Sequence, residues 1–192
     1  MKVAITGHTS GLGKALKERF ESAGHTVVGF CITTGYDISD TEARSRIIAE
    51  SADCDVFINN AYYPNSQHLM FESVHNAFGN TEKTIINIGS KIVDINPSQH
   101  EHDELLSMYQ RDKIKLQEVV KDKCWVPNPR ILNVLPGLIN TEMSSGQPGP
   151  KMDVVDVADL IYQMFTLRDR LIVQEISILP VVQNSIKHDN ID

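Results

Sequence analysis

Thr6-Gly7-His8-Thr9-Ser10-Gly11-Leu12-Gly13 follows directly on the first apolar run of the chain, Val3-Ala4-Ile5. A short strand, a glycine-rich turn and a helix must succeed one another here, the helix running from about Lys14 to Ala23 with Gly24 as its stop. Each glycine has a physical task. Gly7 lets the chain leave the strand tightly, Gly11 lets backbone approach a pyrophosphate, and Gly13 lets the helix pack closely on the sheet. The N–H groups and positive dipole of the helix start then suit phosphate. Such glycines also occur in an ordinary strand-to-helix turn. Placed at residue 6, between strand and helix, they make dinucleotide binding the expectation.

Strand-like runs end near Ile5, Cys31, Asn59, Ile88, Val134 and Ile178, and helical patterns cover Lys14–Ala23, Thr41–Ser51, Gln67–Phe78, His102–Lys121 and Val154–Met164. This alternation predicts an α/β fold: one Rossmann-type, doubly wound, mostly parallel sheet of six to seven strands with helices on both faces. At 192 residues and 41% hydrophobic content, a single domain over 1–180 with a polar tail over 181–192 is expected. Asp40 or Thr41 is the predicted N-cap of the second helix. Between Cys31 and the Asp37-Ile38 segment there is no room for a crossover helix, which needs a dozen or more residues. The third strand is therefore expected to be short or vestigial. The helix between Asn60 and Thr84 is expected to be truncated.

Helical spacing puts Tyr109 and Lys113 of Tyr109-Gln110-Arg111-Asp112-Lys113 on one face, one turn apart. A free tyrosine has a pKa near ~10, and an adjacent ammonium is expected to lower it, fitting Tyr109 to exchange a proton with an alcohol or carbonyl oxygen. A core-facing tyrosine beside a surface lysine is the bland alternative. Upstream, Ile86-Asn87-Ile88-Gly89-Ser90 and Asn59-Asn60-Ala61 each close a predicted strand, and Pro136-Gly137-Leu138-Ile139-Asn140-Thr141 closes a later one. With the glycine turn, these motifs stand in the order of the short-chain dehydrogenase/reductase family. The chain resembles that family from Met1 to about Pro180, as a minimal version.

The resemblance implies roles for particular residues. Ser90 would hydrogen-bond the substrate oxygen; it also reads as a strand-end serine capping the next turn. Lys113 would hold the nicotinamide ribose as well as assist Tyr109. Asn65 is the candidate for the family's fourth catalytic residue by counting back from Ser90. Asn76 and Asn80 compete with it, and Pro64-Asn65-Ser66 reads equally as a turn and N-cap. Asp37 and Ile38 would touch the adenine ring, and the backbone of Asn60 and Ala61 would pass close to the cofactor, with Tyr62 standing where the family pattern has glycine. Pro136, Gly137, Ile139 and Thr141 would fix the nicotinamide end. Thr6, Ser10 and Leu12 complete the phosphate turn by position.

Cofactor choice depends on the end of the second strand, where an acidic residue would bond the ribose 2′-hydroxyl and repel a 2′-phosphate. Counting from Gly24, that position is Cys31, neutral and followed by no lysine or arginine; Thr33 and Thr34 hydroxyls, with Lys14 or His8, remain for a phosphate. NADP is favoured over NAD by this margin. The expected activity is hydride transfer between nicotinamide and an alcohol/carbonyl pair, with a small substrate under a short cover after Thr141. Two alternatives are a sugar-nucleotide epimerase-like enzyme and a nucleotide-sensing or scaffold protein without turnover.

Net charge of −7 argues against a nucleic-acid partner. No apolar leader or membrane-length run is present, so a cytoplasmic enzyme is expected, with reduced thiols at Cys31, Cys54 and Cys124 and a possible homodimer through Gln67–Phe78 and His102–Lys121. The Gln99-His100-Glu101-His102-Asp103-Glu104 segment is read as substrate loop or helix start rather than a metal centre. Trp125 is expected to be a packing anchor.

Overall fold

A computed structural model of the chain describes residues 1–99 and 102–181. His100 and Glu101 of the histidine-rich segment, and all of the expected tail beyond residue 181, lie outside the described residues. Strands β1 (Lys2–Thr6), β2 (Thr26–Phe30), β3 (Val56–Asn59), β4 (Thr84–Ile88), β5 (Arg130–Pro136) and β6 (Glu175–Ile178) form one parallel sheet in the order β2-β1-β3-β4-β5-β6. Helices α1 (Gly11–Ser22), α2 (Thr41–Glu50), α3 (Gln67–Phe78), α4 (Glu104–Lys123) and α5 (Val154–Thr166) connect them. This is a Rossmann-type doubly wound sheet.

The central strands are nearly continuous apolar runs because both faces are covered. Successive side chains point to opposite faces. Val3, Ile5, Ile58, Ile86 and Val134 pack on Leu16, Phe20, Ile161 and Phe165 of α1 and α5. Ala4, Phe57, Ile85 and Ile131 pack on Ile47, Phe71, Leu116 and Val120 of α2, α3 and α4. Fully burying a side chain of this size contributes about 1.5–3 kcal/mol.

Helix ends follow local chemistry. Asp40 accepts from the N–H groups of Glu42 and Ala43, and Asp103 and Asp153 likewise cap α4 and α5. Capping by Asp103 starts α4 two residues after the expected His102. Gly24, at φ 82°, ends α1 by tying its N–H back to the Glu21 carbonyl.

Between β2 and α2 the described residues form no strand. Ile32–Thr34 makes a 3-10 turn, Gly35 turns left-handed at φ 85°, and Ile38 plugs into the α2–α4 core. The third strand expected from the family pattern is therefore missing, and β2 is a sheet edge. The crossovers carrying α1, α2, α3 and α4 share one hand. The crossover β5-α5-β6 runs along the sheet in the same direction as β3-α3-β4, yet α5 lies on the α1 face, so it has the opposite, uncommon hand. Trp125 corrects its expectation: it follows α4 and is 81% exposed, outside the two buried cores of the described residues.

Candidate active site

The phosphate turn is built by interlocking the ends of β1 and β3. Thr6 Oγ1 accepts the N–H groups of Asn60 at 3.1 Å and Ala61 at 3.0 Å. Asn60 Nδ2 donates back to the carbonyls of Thr6 at 3.0 Å and Gly7 at 3.2 Å. Gly13 is obligatory, since a Cβ there would stand 2.0 Å from the Gly7 carbonyl oxygen. A Cβ on Gly11 would stand 3.4 Å from Thr141 Cγ2, so the segment after β5 reaches across to the turn. Ser10 is extended and makes no side-chain cap bond, which leaves the first-turn N–H groups of α1 without a competing capping side chain. Leu12 turns its side chain into the core and contributes backbone alone. Glycine geometry, close backbone packing and an uncapped helix start together fit a dinucleotide pyrophosphate.

At the end of β2, Cys31 is buried, its Sγ 3.0 Å from Thr33 Oγ1 and 3.4 Å from Thr34 Oγ1. Burial pushes the thiol up, but the hydroxyls and N–H groups of Thr33 and Thr34 outweigh it and hold the thiol below its ordinary value. Asp37 Oδ1 accepts from the N–H and hydroxyl of Ser39 at 2.8 and 2.7 Å, so this carboxylate folds its own turn, with Ile38 buried beside it. His8 lies over Gly29, where a Cβ would come within 2.3 Å of the imidazole ring.

The catalytic candidates converge beyond the C-terminal end of β4. Tyr109 and Lys113 stand one turn apart on α4, and the Ser90 hydroxyl lies close enough to the Tyr109 phenol to lower its pKa. Ser90 Oγ also accepts the Ile92 N–H at 3.3 Å, so the capping reading and the site reading describe the same residue. Lys113 Nζ donates to Gln67 Oε1 at 2.7 Å and to the Ile88 carbonyl at 3.0 Å. Burial lowers the Lys113 ammonium to about 7, with the Asp112 carboxylate opposing the fall. The expectation of a depressed Tyr109 is corrected: burial pushes its phenol up, and the Ser90 hydroxyl draws it only partly back.

Tyr62 packs edge-on against Tyr109, ring centroids 4.7 Å apart at 78°. Its hydroxyl donates to Asp112 Oδ2 at 2.9 Å; burial and that bond raise its phenol strongly, so it stays neutral. Asn65 lies in an exposed turn at φ 55°, and its N–H donates to the same Asp112 oxygen at 3.1 Å. Asn76 and Asn80 are exposed at and beyond the far end of α3.

Gln67 is the group that sequence reasoning missed. Its Nε2 donates to the carbonyls of Asn59 and Ile88 at 3.0 and 2.9 Å, which fixes the amide and aims Oε1 at Lys113. The signal lay two residues from Asn65: a glutamine at the first position of α3. Asp112, inside the Tyr-x-x-x-Lys spacing, was also unassigned.

The segment after β5 is pinned. Gly137 N–H donates to the Ile178 carbonyl at 2.8 Å, Asn140 N–H to Met152 at 2.8 Å and Met152 N–H to Leu138 at 2.9 Å. Ile139 bridges Met152, and the Ser144 hydroxyl donates to the Ile139 carbonyl. Pro136 ends β5 itself. A 3-10 turn at Glu142–Ser144 is the cover available before α5. Among the described residues, no cluster of three metal-ligating side chains occurs, and no helix is long and apolar enough to cross a membrane.

The architecture is thus that of a Rossmann-type α/β protein, with a tyrosine–lysine–serine constellation beyond the strand ends. No family model and no curated protein matches the sequence. Solved structures do. The 3-alpha-hydroxysteroid dehydrogenase from Pseudomonas sp. complexed with NADH superposes at TM-score 0.75 with 17% identity, covering 93% of this chain and 95% of that one. A short chain dehydrogenase from Burkholderia cenocepacia in complex with NADP gives TM-score 0.70, 19% identity and coverage of 94% and 88%. The 3-ketoacyl-(acyl-carrier-protein) reductase from Brucella melitensis complexed with NADH gives 0.73, 17%, and 93% and 96%. The chain has the fold of the short-chain dehydrogenase/reductases.

Proposed function

We propose that the chain is a minimal short-chain dehydrogenase/reductase, an NAD(P)-dependent oxidoreductase acting on an alcohol/carbonyl pair. The observation that carries this reading is the meeting of Tyr109 and Ser90 beyond β4 with Lys113 one helical turn away. A bound nicotinamide would supply or accept the hydride. Thr6, Gly7, Ser10, Gly11, Leu12 and Gly13 would hold its pyrophosphate, Cys31, Asp37 and Ile38 its adenosine end, and Asn60, Ala61, Pro136, Gly137, Ile139 and Thr141 its nicotinamide end. Tyr109 gives its proton to the carbonyl oxygen while Ser90 donates a hydrogen bond to the same atom. A phenol raised by burial remains protonated at neutral pH, which suits the reducing direction. The neutral Cys31 at the end of β2 favours NADP over NAD.

The thin cover at Glu142–Ser144 supports small carbonyl substrates. A homodimer through α3 and α4, which expose Leu69 and Leu105, belongs to the same proposal. So does a cytoplasmic setting that keeps the free thiols reduced.

A second reading, nucleotide binding without turnover, draws on the enclosure of Lys113 and the raised Tyr109 phenol. Titration with NADH and NADPH by fluorescence, combined with an aldehyde and ketone panel, separates the two. The oxidoreductase reading expects turnover that falls by about 100-fold or more in Tyr109→Phe while binding persists. Tight binding without turnover across the panel would favour the second reading, and binding of neither nucleotide would remove both.

A further inference from the structure

Lys113 is 3% exposed, and four groups around its Nζ can be named. Gln67 Oε1 and the Ile88 carbonyl take two of its protons. The other two are aromatic rings, with Nζ 5.4 Å from the Tyr109 centroid and 5.6 Å from that of Tyr62. Tyr62 is held in place, since its hydroxyl is bonded to Asp112 and the same carboxylate oxygen takes the Asn65 N–H. The loop carrying Tyr62 runs beside the phosphate turn. Ala61 Cα stands 3.1 Å from where a Cβ on Gly7 would be. Tyr62 thus follows directly on the residue that packs against the phosphate turn, with its ring against Tyr109 and Lys113.

Resting on the proposed oxidoreductase function, we infer that Tyr62, anchored by Asp112, is a positioning residue that screens Lys113 from the cofactor. The ammonium acts on Tyr109 across the ring pair and does not hold the ribose. A glycine at position 62, as in the family this chain resembles, would leave that side open. The substitution of a whole aromatic ring for a hydrogen atom thus changes what the lysine can touch.

Acetic anhydride labelling of Lys113, read by peptide mass spectrometry with and without NADPH, tests this directly. Lys115, exposed two residues further along α4, serves as the reference, so slow labelling of Lys113 reports enclosure. In the wild-type chain Lys113 is expected to label at least about 10-fold more slowly than Lys115, and NADPH should not change that. In Tyr62→Gly, labelling rises and NADPH suppresses it. The NADPH Kd gives an independent reading. Lys113→Met changes it less than about twofold alone but about 10-fold or more in the Tyr62→Gly background, the worth of a hydrogen bond to a charged group. Rapid wild-type labelling that NADPH blocks, or a 10-fold loss of affinity in Lys113→Met alone, overturns the inference and leaves the oxidoreductase reading intact. The labelling arm needs no variant to fold. Failure of the wild-type chain to bind either nucleotide removes the functional reading, and this inference with it.

Discussion

An ammonium taken out of water gives up its proton more readily, and Lys113 does so near pH 7 in the folded chain against an ordinary 10.5. Between those values the unfolded chain binds more protons than the folded one, so folding stability rises with pH across that window. The full slope is about 1.4 kcal/mol per pH unit while the difference persists. Urea unfolding of wild type and Lys113→Met at pH 7.5 and 9.5 is expected to show the gain in the wild type and its loss in the variant. An identical pH response in both would place the proton elsewhere. Tyr109, Lys113 and Ser90 were legible because spacing and strand ends locate them without tertiary knowledge. The direction of the Tyr109 shift was not, since the burial that governs it is a property of the packed molecule. Asn65 illustrates a different limit: counting back through a shortened helix lands two residues from Gln67, and one helical residue turns a side chain by about 100°.

Strands β3, β4, β5 and β6 are joined by more than backbone bonds. Asn59, Asn87, Asn133 and Glu175 share one register row across the sheet. Asn59 Nδ2 donates to Asn87 Oδ1 at 2.9 Å, Asn87 Nδ2 to Asn133 Oδ1 at 2.8 Å, and Asn133 Nδ2 to Glu175 Oε2 at 2.9 Å. The carboxylate at one end fixes the sense of all three amides. Because Asn59 also donates to the Gln67 carbonyl at 3.2 Å, the row ends beneath the site. Asn87→Ala strands one buried donor and one buried acceptor, and a loss of about 2–4 kcal/mol is expected in urea. Glu175→Gln, at the exposed end, should cost under about 1 kcal/mol. Equal effects would mean that burial does not decide what each link of the row contributes. The strands were legible as apolar runs, and the missing third strand as a segment too short for a crossover. The row was not, because register is decided between strands and no single strand encodes it.

The two faces of the sheet are finished at different times. Helices α2, α3 and α4 follow one another in sequence on one face, whereas α1 is covered by α5, which comes more than 130 residues later. The alternation of strands and helices foretold helices on both faces but not which face α5 takes, since a crossover's hand leaves no mark in the sequence. A chain ending at Pro150 keeps the phosphate turn, Ser90, Tyr109 and Lys113 but lacks α5 and β6. It is expected to show no cooperative unfolding transition and no nucleotide binding; retention of a sharp transition would show that α1 does not need this cover. Contacts between such distant segments also slow folding. On the ribosome, then, α1 emerges with Leu16 and Phe20 bare and stays so until α5 follows. Made more than 130 residues ahead of its cover, this helix is a natural client for a chaperone until α5 arrives.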